Sequence, residues 1–371
     1  MRKIIIAIDS FKGCLTSKEA NQAAAEAVLT SPLSGEGRVG ALTIPVSDGG
    51  EGWLEAFQAA IDPATVVDVH VKDPLLRPIT AQYLKKDDTA VIEMAKANGL
   101  TLLSPEERSS AQNKTPMVAT TYGTGQLIID AVRRGCKHII VGLGGSATTD
   151  CGIGMLRAII DGFNCDRWDE VKALDDIRFT IATDVTNPLC GINGAAHVFG
   201  PQKGATPEMV LALDARAKRF AEASSRHFGY DRQHDPGAGA AGGLGYAFLQ
   251  YFNAECRPGI DLLLDAIHFD QLLQEAALII TGEGSADRQT LMGKLPYGIL
   301  QRATQHHVPV ALIAGRTSDI PQLLDAGFSH VECINPPGLP LEEAMTPKTA
   351  MNNIRDTVRR LISKQKAPLR G

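Results

Sequence analysis

The sequence predicts an α/β protein of two domains, on three observations. Short β-branched apolar runs alternate with helical segments at both chain ends, the middle changes to alternating strands, and glycine-rich polar loops close the predicted strands. The chain has 371 residues, enough for two or three domains. With 44% hydrophobic and 21% charged residues it can bury a large core and cannot be mainly disordered.

Residues 3–8 are continuously apolar, as in a strand buried on both faces, and residues 17–29 follow as a helix with Ser17 as its expected N-cap. A second strand over Val39–Val46 runs into Ser47-Asp48-Gly49-Gly50-Glu51-Gly52, then a helix over Trp53–Ala60. Val66–Val71, Thr80–Tyr83 and Thr89–Glu93 alternate around polar turns, which predicts antiparallel hairpins. His138–Val141 and Phe179–Ile181 are further strands. Ala277–Ile280, Val308–Ile313 and His330–Ile334 complete the set, with helices near Tyr297–Thr304 and Pro321–Ala326 between them. Residues 1–61 plus 276–371 are therefore expected to form one flavodoxin-like, doubly wound parallel sheet, into which residues 62–275 insert a second α/β domain. An active site is expected between the two, and Lys364–Gly371 reads as a frayed tail.

Thirty-seven Lys and Arg against 42 Asp and Glu give a net charge of −5 with no basic stripe, so nucleic acid is excluded as the expected partner. Seven scattered cysteines without any Cys-x-x-Cys spacing predict reduced thiols and a cytoplasmic location. The apolar run after Met1 stops at Asp9, too soon for a signal peptide, and no stretch is long enough to span a bilayer. The nine histidines form no metal or triad-like grouping.

The chemistry is concentrated in the strand-end loops. Asp9-Ser10-Phe11-Lys12-Gly13, the Ser47–Gly52 loop, Gly142 to Asp150 and Thr281 to Asp287 each set glycine beside carboxylates or hydroxyls, while Ala182 to Pro188 carries the carboxylate and hydroxyls and Gly237 to Gly245 the glycines. Such loops let backbone amides approach an anion, and open α/β sheets bind ligands at the carboxyl ends of their strands. Gly237–Gly242 and Gly142–Ala147 both fit the dinucleotide pattern, but the first follows no strand and the second lacks the acidic residue at the next strand end. There is no G-x-x-x-x-G-K-[ST]. Carboxylates at Asp9, Asp48, Asp150, Asp184, Glu283 and Asp287, with Lys12, Lys203 and Lys294, match what phosphoryl transfer needs, although any single Asp fits a helix cap equally well.

Taken in order, these segments resemble the bacterial type I glycerate kinases from Ile4 to about Ile334. The matching pieces are the Asp9–Gly13, Ser47–Gly52, Thr121–Gly125, Gly144–Thr148, Asp184–Gly191 and Phe199–Ala205 segments, then Gly282-Glu283-Gly284, Asp287, Gly293 and Lys294. Thr149 stands where that family usually has Asn, Cys151 where it usually has Gly, and the stretch from Arg157 to Ile177 is shorter. The resemblance implies phosphorylation of D-glycerate by ATP with Mg2+, to 2-phosphoglycerate rather than 3-phosphoglycerate, and an inserted domain similar to the restriction-endonuclease fold.

On this reading Asp184 aligns the attacking hydroxyl, because it ends a strand beside Asn187 and Pro188, while Lys12 and Lys203 offset charge on the transferred phosphoryl. Ser10, Gly144, Gly145, Ser146, Thr148 and Asn187 are the expected substrate-binding positions. Gly49, Gly50, Gly282, Gly284 and Lys294 are expected to hold ATP, and Asp48 and Asp287 to bind Mg2+, with Glu283 as the alternate. The expected partner is D-glycerate, without membrane or nucleic acid, and a homodimer is the expected assembly if the chain is not a monomer. Two alternatives remain: a nicotinamide-dependent hydroxy-acid oxidoreductase using Gly142–Ala147, and a non-catalytic sugar-acid sensor.

Overall fold

The structure, a computed structural model, describes residues 2–31, 39–47, 49–50, 52–108 and 115–364. The expectations for Asp48 and for the tail beyond Lys364 lie outside them. The strands are β1 (Arg2–Ile8), β2 (Val39–Thr43), β3 (Thr65–Lys72), β4 (Pro78–Lys86), β5 (Thr89–Glu93), β6 (His138–Gly142), β7 (Arg178–Ala182), β8 (Glu255–Arg257), β9 (Ala276–Ala286), β10 (Val310–Thr317) and β11 (His330–Cys333). They divide between two compact units, one of Met1–Ser47, Glu55–Ala60 and Ile260–Gly371, the other of Asp48–Leu54 and Ile61–Gly259. The chain returns to the first unit at Ile260, earlier than the expected residue 276, and Asp48–Leu54 belongs with the second.

In the first unit the order is β11-β10-β9-β1-β2, every neighbouring pair parallel. Counted within the unit, this is the doubly wound order 2-1-3-4-5, whose winding reverses between β1 and β9. Ile4, Ile6 and Ile8 bury one face of β1 against Ala20, Ala24 and Val28 of the helix Ser17–Leu29 and Ile354, Val358 and Leu361 of the helix Pro347–Lys364.

The N-cap of the first helix is Thr16 rather than Ser17. Thr16 Oγ1 accepts the Glu19 amide at 3.2 Å, while Glu19 Oε2 accepts the Thr16 amide at 2.9 Å, a reciprocal capping box. Ser17 instead links two strand ends, its hydroxyl donating to Ile8 O at 2.6 Å and accepting the Val46 amide at 3.0 Å. That second bond draws the chain off the sheet, and β2 ends at Thr43 instead of Val46.

β9 also departs from its expected bounds. It continues through the glycine-rich segment to Ala286, because Glu283, Ser285 and Ala286 pair with Ala314, Arg316 and Thr317 of β10. Thr281–Ala286 is strand, not loop.

The second unit is a mixed sheet in the order β3-β4-β5-β6-β7-β8, with β3, β4 and β5 antiparallel as the hairpin pattern predicts and β5 to β8 parallel. Its core gathers Ile92, Val141 and Ile181 from the sheet with Leu127, Met155 and Phe248 from helices. The shortened stretch before β7 is packed rather than loose: Trp168 meets Tyr251 and Phe252 edge-on, with ring centroids 5.3 Å and 5.2 Å away. Among the described residues no helix is long and apolar enough to cross a membrane.

Candidate active site

In the second unit, three glycine-rich segments, at 49–50, Gly142–Asp150 and Gly237–Gly245, converge at the carboxyl ends of β6 and β7. The Gly144 amide donates to Gly49 O at 2.9 Å, and a Cβ at Gly144 would lie 2.3 Å from Gly50 Cα. Gly144 thus permits the 49–50 segment to lie on the β6 loop, and its amide is committed there rather than to a ligand. Ala147 donates to Asn98 O at 2.9 Å. The amides of Gly145, Ser146, Thr148, Thr149 and Asp150 have no acceptor among the described residues. The buried hydroxyls of Thr148 and Thr149 likewise have no partner among them. Consecutive open amides beside orphaned hydroxyls form a concavity suited to an anion.

Lys203 closes this loop from beneath. Its side chain is only 4% exposed, and its Nζ donates to Ser146 Oγ at 2.7 Å and to Thr148 O at 2.6 Å. Both bonds hold it inside the protein, away from the exposed position expected of a group that reaches a transferred phosphoryl. Burial pushes its pKa down to about 7, with the charge of Asp150 acting in the opposite sense. A lysine that is charged when unfolded but prefers neutrality when folded contributes stability above its unfolded pKa and loses it as pH falls toward 7. The melting temperature of the wild type relative to Lys203→Met should therefore climb between pH 7 and pH 10, measured by calorimetry across buffers.

Asp150, 7% exposed, accepts the Thr121 amide at 2.8 Å, the Thr121 hydroxyl at 2.9 Å and the amides of Gly152 and Gly154 at 3.1 Å each. It anchors the loop to the two helices beginning near Tyr122 and Ile153. Cys151 has φ +58°, the left-handed backbone that favours glycine, so the replacement noted in the sequence keeps the turn at a cost of about 1–2 kcal/mol.

Asp184 lies two residues past β7, half-buried, with Oδ1 accepting the Gly259 amide at 3.3 Å. Asn187 directs its side-chain amide to Asn193 O at 2.8 Å within its own turn. Nearby, a cavity of about 530 Å³ shares Gly145 with the β6 loop, and its wall carries Asp68 and Glu93 with Lys96, the last two 3.9 Å apart.

In the first unit, Ser10, Lys12, Gly282, Gly284, Glu283, Asp287 and Lys294 gather about the carboxyl ends of β1 and β9, where the winding reverses and doubly wound sheets bind ligands. Lys12 is exposed at the tip of the tight turn closed by the Phe11–Leu15 bridge. Ser10 donates its amide to Asp9 Oδ1 at 2.7 Å. Gly282 is a strand residue whose missing side chain makes room for Ile313 O, 2.4 Å from a notional Cβ; Gly284 has open space there instead. Glu283, 7% exposed, takes the Thr290 hydroxyl at 2.6 Å on Oε1 and Lys294 at 3.4 Å on Oε2, and burial raises its pKa. With both oxygens engaged it is a poor Mg2+ ligand. Asp287, partly exposed, caps a 3₁₀ turn through Gln289, its Oδ1 accepting that amide at 2.7 Å.

Sequence reasoning missed Arg216 and Gly242. Arg216 donates to Thr149 O at 2.7 Å and Met117 O at 3.1 Å from the helix Pro207–Phe228, where its amphipathic spacing reads as an ordinary surface arginine. Gly242, at φ +68°, packs its backbone on Thr148, inside the segment that resembles a dinucleotide fingerprint.

A β6 loop with open amides and a second ligand-prone strand end define an α/β enzyme that handles small anionic substrates. Comparison with known proteins sharpens this. The sequence profile described as "Glycerate kinase family" matches residues 4–165 and 163–366. The glycerate kinase of Bacillus subtilis strain 168 is 38% identical over 364 residues, covering 92% of each chain. The glycerate 2-kinase of Escherichia coli K12 is 37% identical over 349 residues, 88% of this chain and 87% of the relative. A crystal structure from Salmonella typhimurium LT2, assigned provisionally as glycerate kinase 2, superposes with a TM-score of 0.78 at 36% identity, covering 99% of this chain and 98% of that one. The chain belongs to the glycerate kinase family. The oxidoreductase and sensor alternatives have no support: a Cβ at Gly142 would lie 2.7 Å from Gly49 O and one at Gly144 2.3 Å from Gly50 Cα, so these two glycines admit the backbone of residues 49 and 50.

Proposed function

We propose that this protein transfers the terminal phosphoryl group of ATP to D-glycerate, giving 2-phosphoglycerate, in the cytoplasm. The observation that carries the reading is full-length membership of the glycerate kinase family together with the open-amide loop at the end of β6. The substrate's carboxylate is received by the open amides of the β6 loop, those of Gly145, Ser146, Thr148, Thr149 and Asp150, which costs no reorganisation because the loop is already held. Asp184 accepts a hydrogen bond from the attacking hydroxyl and sets its line of approach. Phosphoryl transfer proceeds through a loose transition state, so alignment and charge neutralisation matter more than strong basicity. Lys12, on its exposed turn, offsets the charge that moves with the phosphoryl, and Lys294 with the open strand face at Gly284 contacts the nucleotide.

Mg2+ bound to a nucleotide takes one or two carboxylates and keeps several waters, so it needs no protein cage. Among the described residues there is no group of three or more His, Cys, Asp or Glu side chains that would hold a metal, and the partly exposed Asp287 fits the smaller requirement. When bound, the ion screens the phosphate charges. The seven unpaired cysteines agree with a reducing compartment.

The test is ADP release from purified protein with ATP, Mg2+ and D-glycerate, the product resolved by phosphorus NMR. Glycerate-dependent ADP with a 2-phospho product is expected. A 3-phospho product would overturn the regiochemistry, and ADP independent of glycerate would overturn the substrate.

A further inference from the structure

We infer that Lys203 and Arg216 form a two-donor clamp that positions the β6 loop, so that both act on the substrate through the loop's backbone rather than by touching a phosphate. This rests on the reading that the loop receives the substrate's carboxylate. Lys203 holds the carbonyl of Thr148, and Arg216 holds the next carbonyl, that of Thr149, while Asp150 ties the following residue to Thr121, Gly152 and Gly154. Three successive residues are thereby pinned by three buried or part-buried side chains.

The consequence follows from peptide geometry. In a planar trans peptide the N–H points opposite to the C=O, so turning the carbonyls of Thr148 and Thr149 toward the Lys203 and Arg216 side chains turns the amides of Thr149 and Asp150 the other way. Those amides are among the ones with no acceptor in the described structure. Lys203 also donates to Ser146 Oγ, which leaves the Ser146 hydroxyl proton to point away from the lysine. The clamp therefore presents the loop's donors together, hydroxyl and amide, as an anion requires. Each donor also polarises the peptide whose carbonyl it holds, which strengthens the attached N–H as a donor.

The experiment compares wild type with Lys203→Met, which keeps length and apolar bulk, and Arg216→Gln, which retains one donor and stands in if the first variant does not fold. Three quantities are read: KM for D-glycerate, KM for ATP, and amide hydrogen exchange of the segment 143–155. Either variant is expected to raise the glycerate KM at least tenfold, leave the ATP KM within twofold, and speed exchange in 143–155. A loss confined to kcat, with glycerate KM unchanged, would overturn the clamp in favour of direct contact with the phosphoryl. Unchanged kinetics and unchanged exchange would overturn it in favour of simple space-filling. Should the wild type show no glycerate-dependent ADP, the functional reading fails on its own, and the exchange data still decide whether the two side chains hold the loop.

Discussion

Asp184→Asn is expected to lower turnover of D-glycerate by about 10²–10⁴-fold, the range in which a positioned acid or base contributes. The substitution isolates charge from shape. Asparagine can accept the same Gly259 amide that Asp184 accepts at 3.3 Å, so the turn after β7 should survive and the ATP KM should stay near its wild-type value. What disappears is a carboxylate able to receive the hydroxyl proton and orient the oxygen lone pair toward phosphorus. A second readout confirms that the charge has gone. The Cys256 thiol has its pKa raised by burial first and by the negative charge of Asp184 second. Removing that charge should bring the thiol's titration down while burial still keeps it above an ordinary cysteine, a change visible by the thiolate absorbance of a variant whose other cysteines are serine. Near wild-type turnover in Asp184→Asn, with the expected fall at Cys256, would remove Asp184 from the reaction.

The parts of this protein legible in the sequence are those governed by local periodicity. Residues 3–8 and Val310–Ile313 are strands whose continuous apolar run has few other folded outcomes, and β3 alternates because one of its faces is solvated, whereas β5 is buried on both. Strand-end chemistry was harder. A glycine-rich run reads as a loop, yet Thr281–Ala286 is paired strand, because the decision belongs to β10, about 30 residues away, and not to the local composition. Thr16 and Ser17 are both good caps, and only the position of Ile8 O and Val46, a tertiary fact, assigns them. Gly144 and Gly282 were expected to face a ligand and instead admit backbone from other segments; spacing cannot distinguish an approach by phosphate from an approach by peptide. Lys203 shows the same limit in charge. Its neighbours Gly200, Pro201 and Gly204 suggest an exposed turn, and the 3₁₀ turn that they form instead tucks the side chain beneath Ser146 and Thr148.

Gly242→Ala should be as damaging as the loss of Asp184, by a route that touches no side-chain chemistry. Gly242 sits at φ +68°, and a Cβ there would lie 2.0 Å from Thr148 O, 2.7 Å from Thr148 C and 2.7 Å from Thr149 Cα. All three atoms are backbone, so no rotamer change relieves the overlap, and the 148–149 peptide must move. Lys203 holds the carbonyl of that peptide and Arg216 the carbonyl of the next, and the Gly242 carbonyl in turn accepts the Cys151 amide at 3.1 Å. Combined strain and overpacking should cost about 2–4 kcal/mol in denaturant unfolding. Its effect on the glycerate KM should exceed tenfold, because the displaced amides no longer converge. The backbone-strain part can be subtracted. Gly135 lies in the same unit at φ +84° with nothing within 4 Å of a notional Cβ, so Gly135→Ala carries the strain without the collision. Gly135→Ala should lose about 1–2 kcal/mol of stability and keep its glycerate KM. If the two alanines proved equally costly and equally silent in KM, the close contact between Gly242 and Thr148 would have no bearing on how the β6 loop binds its anion.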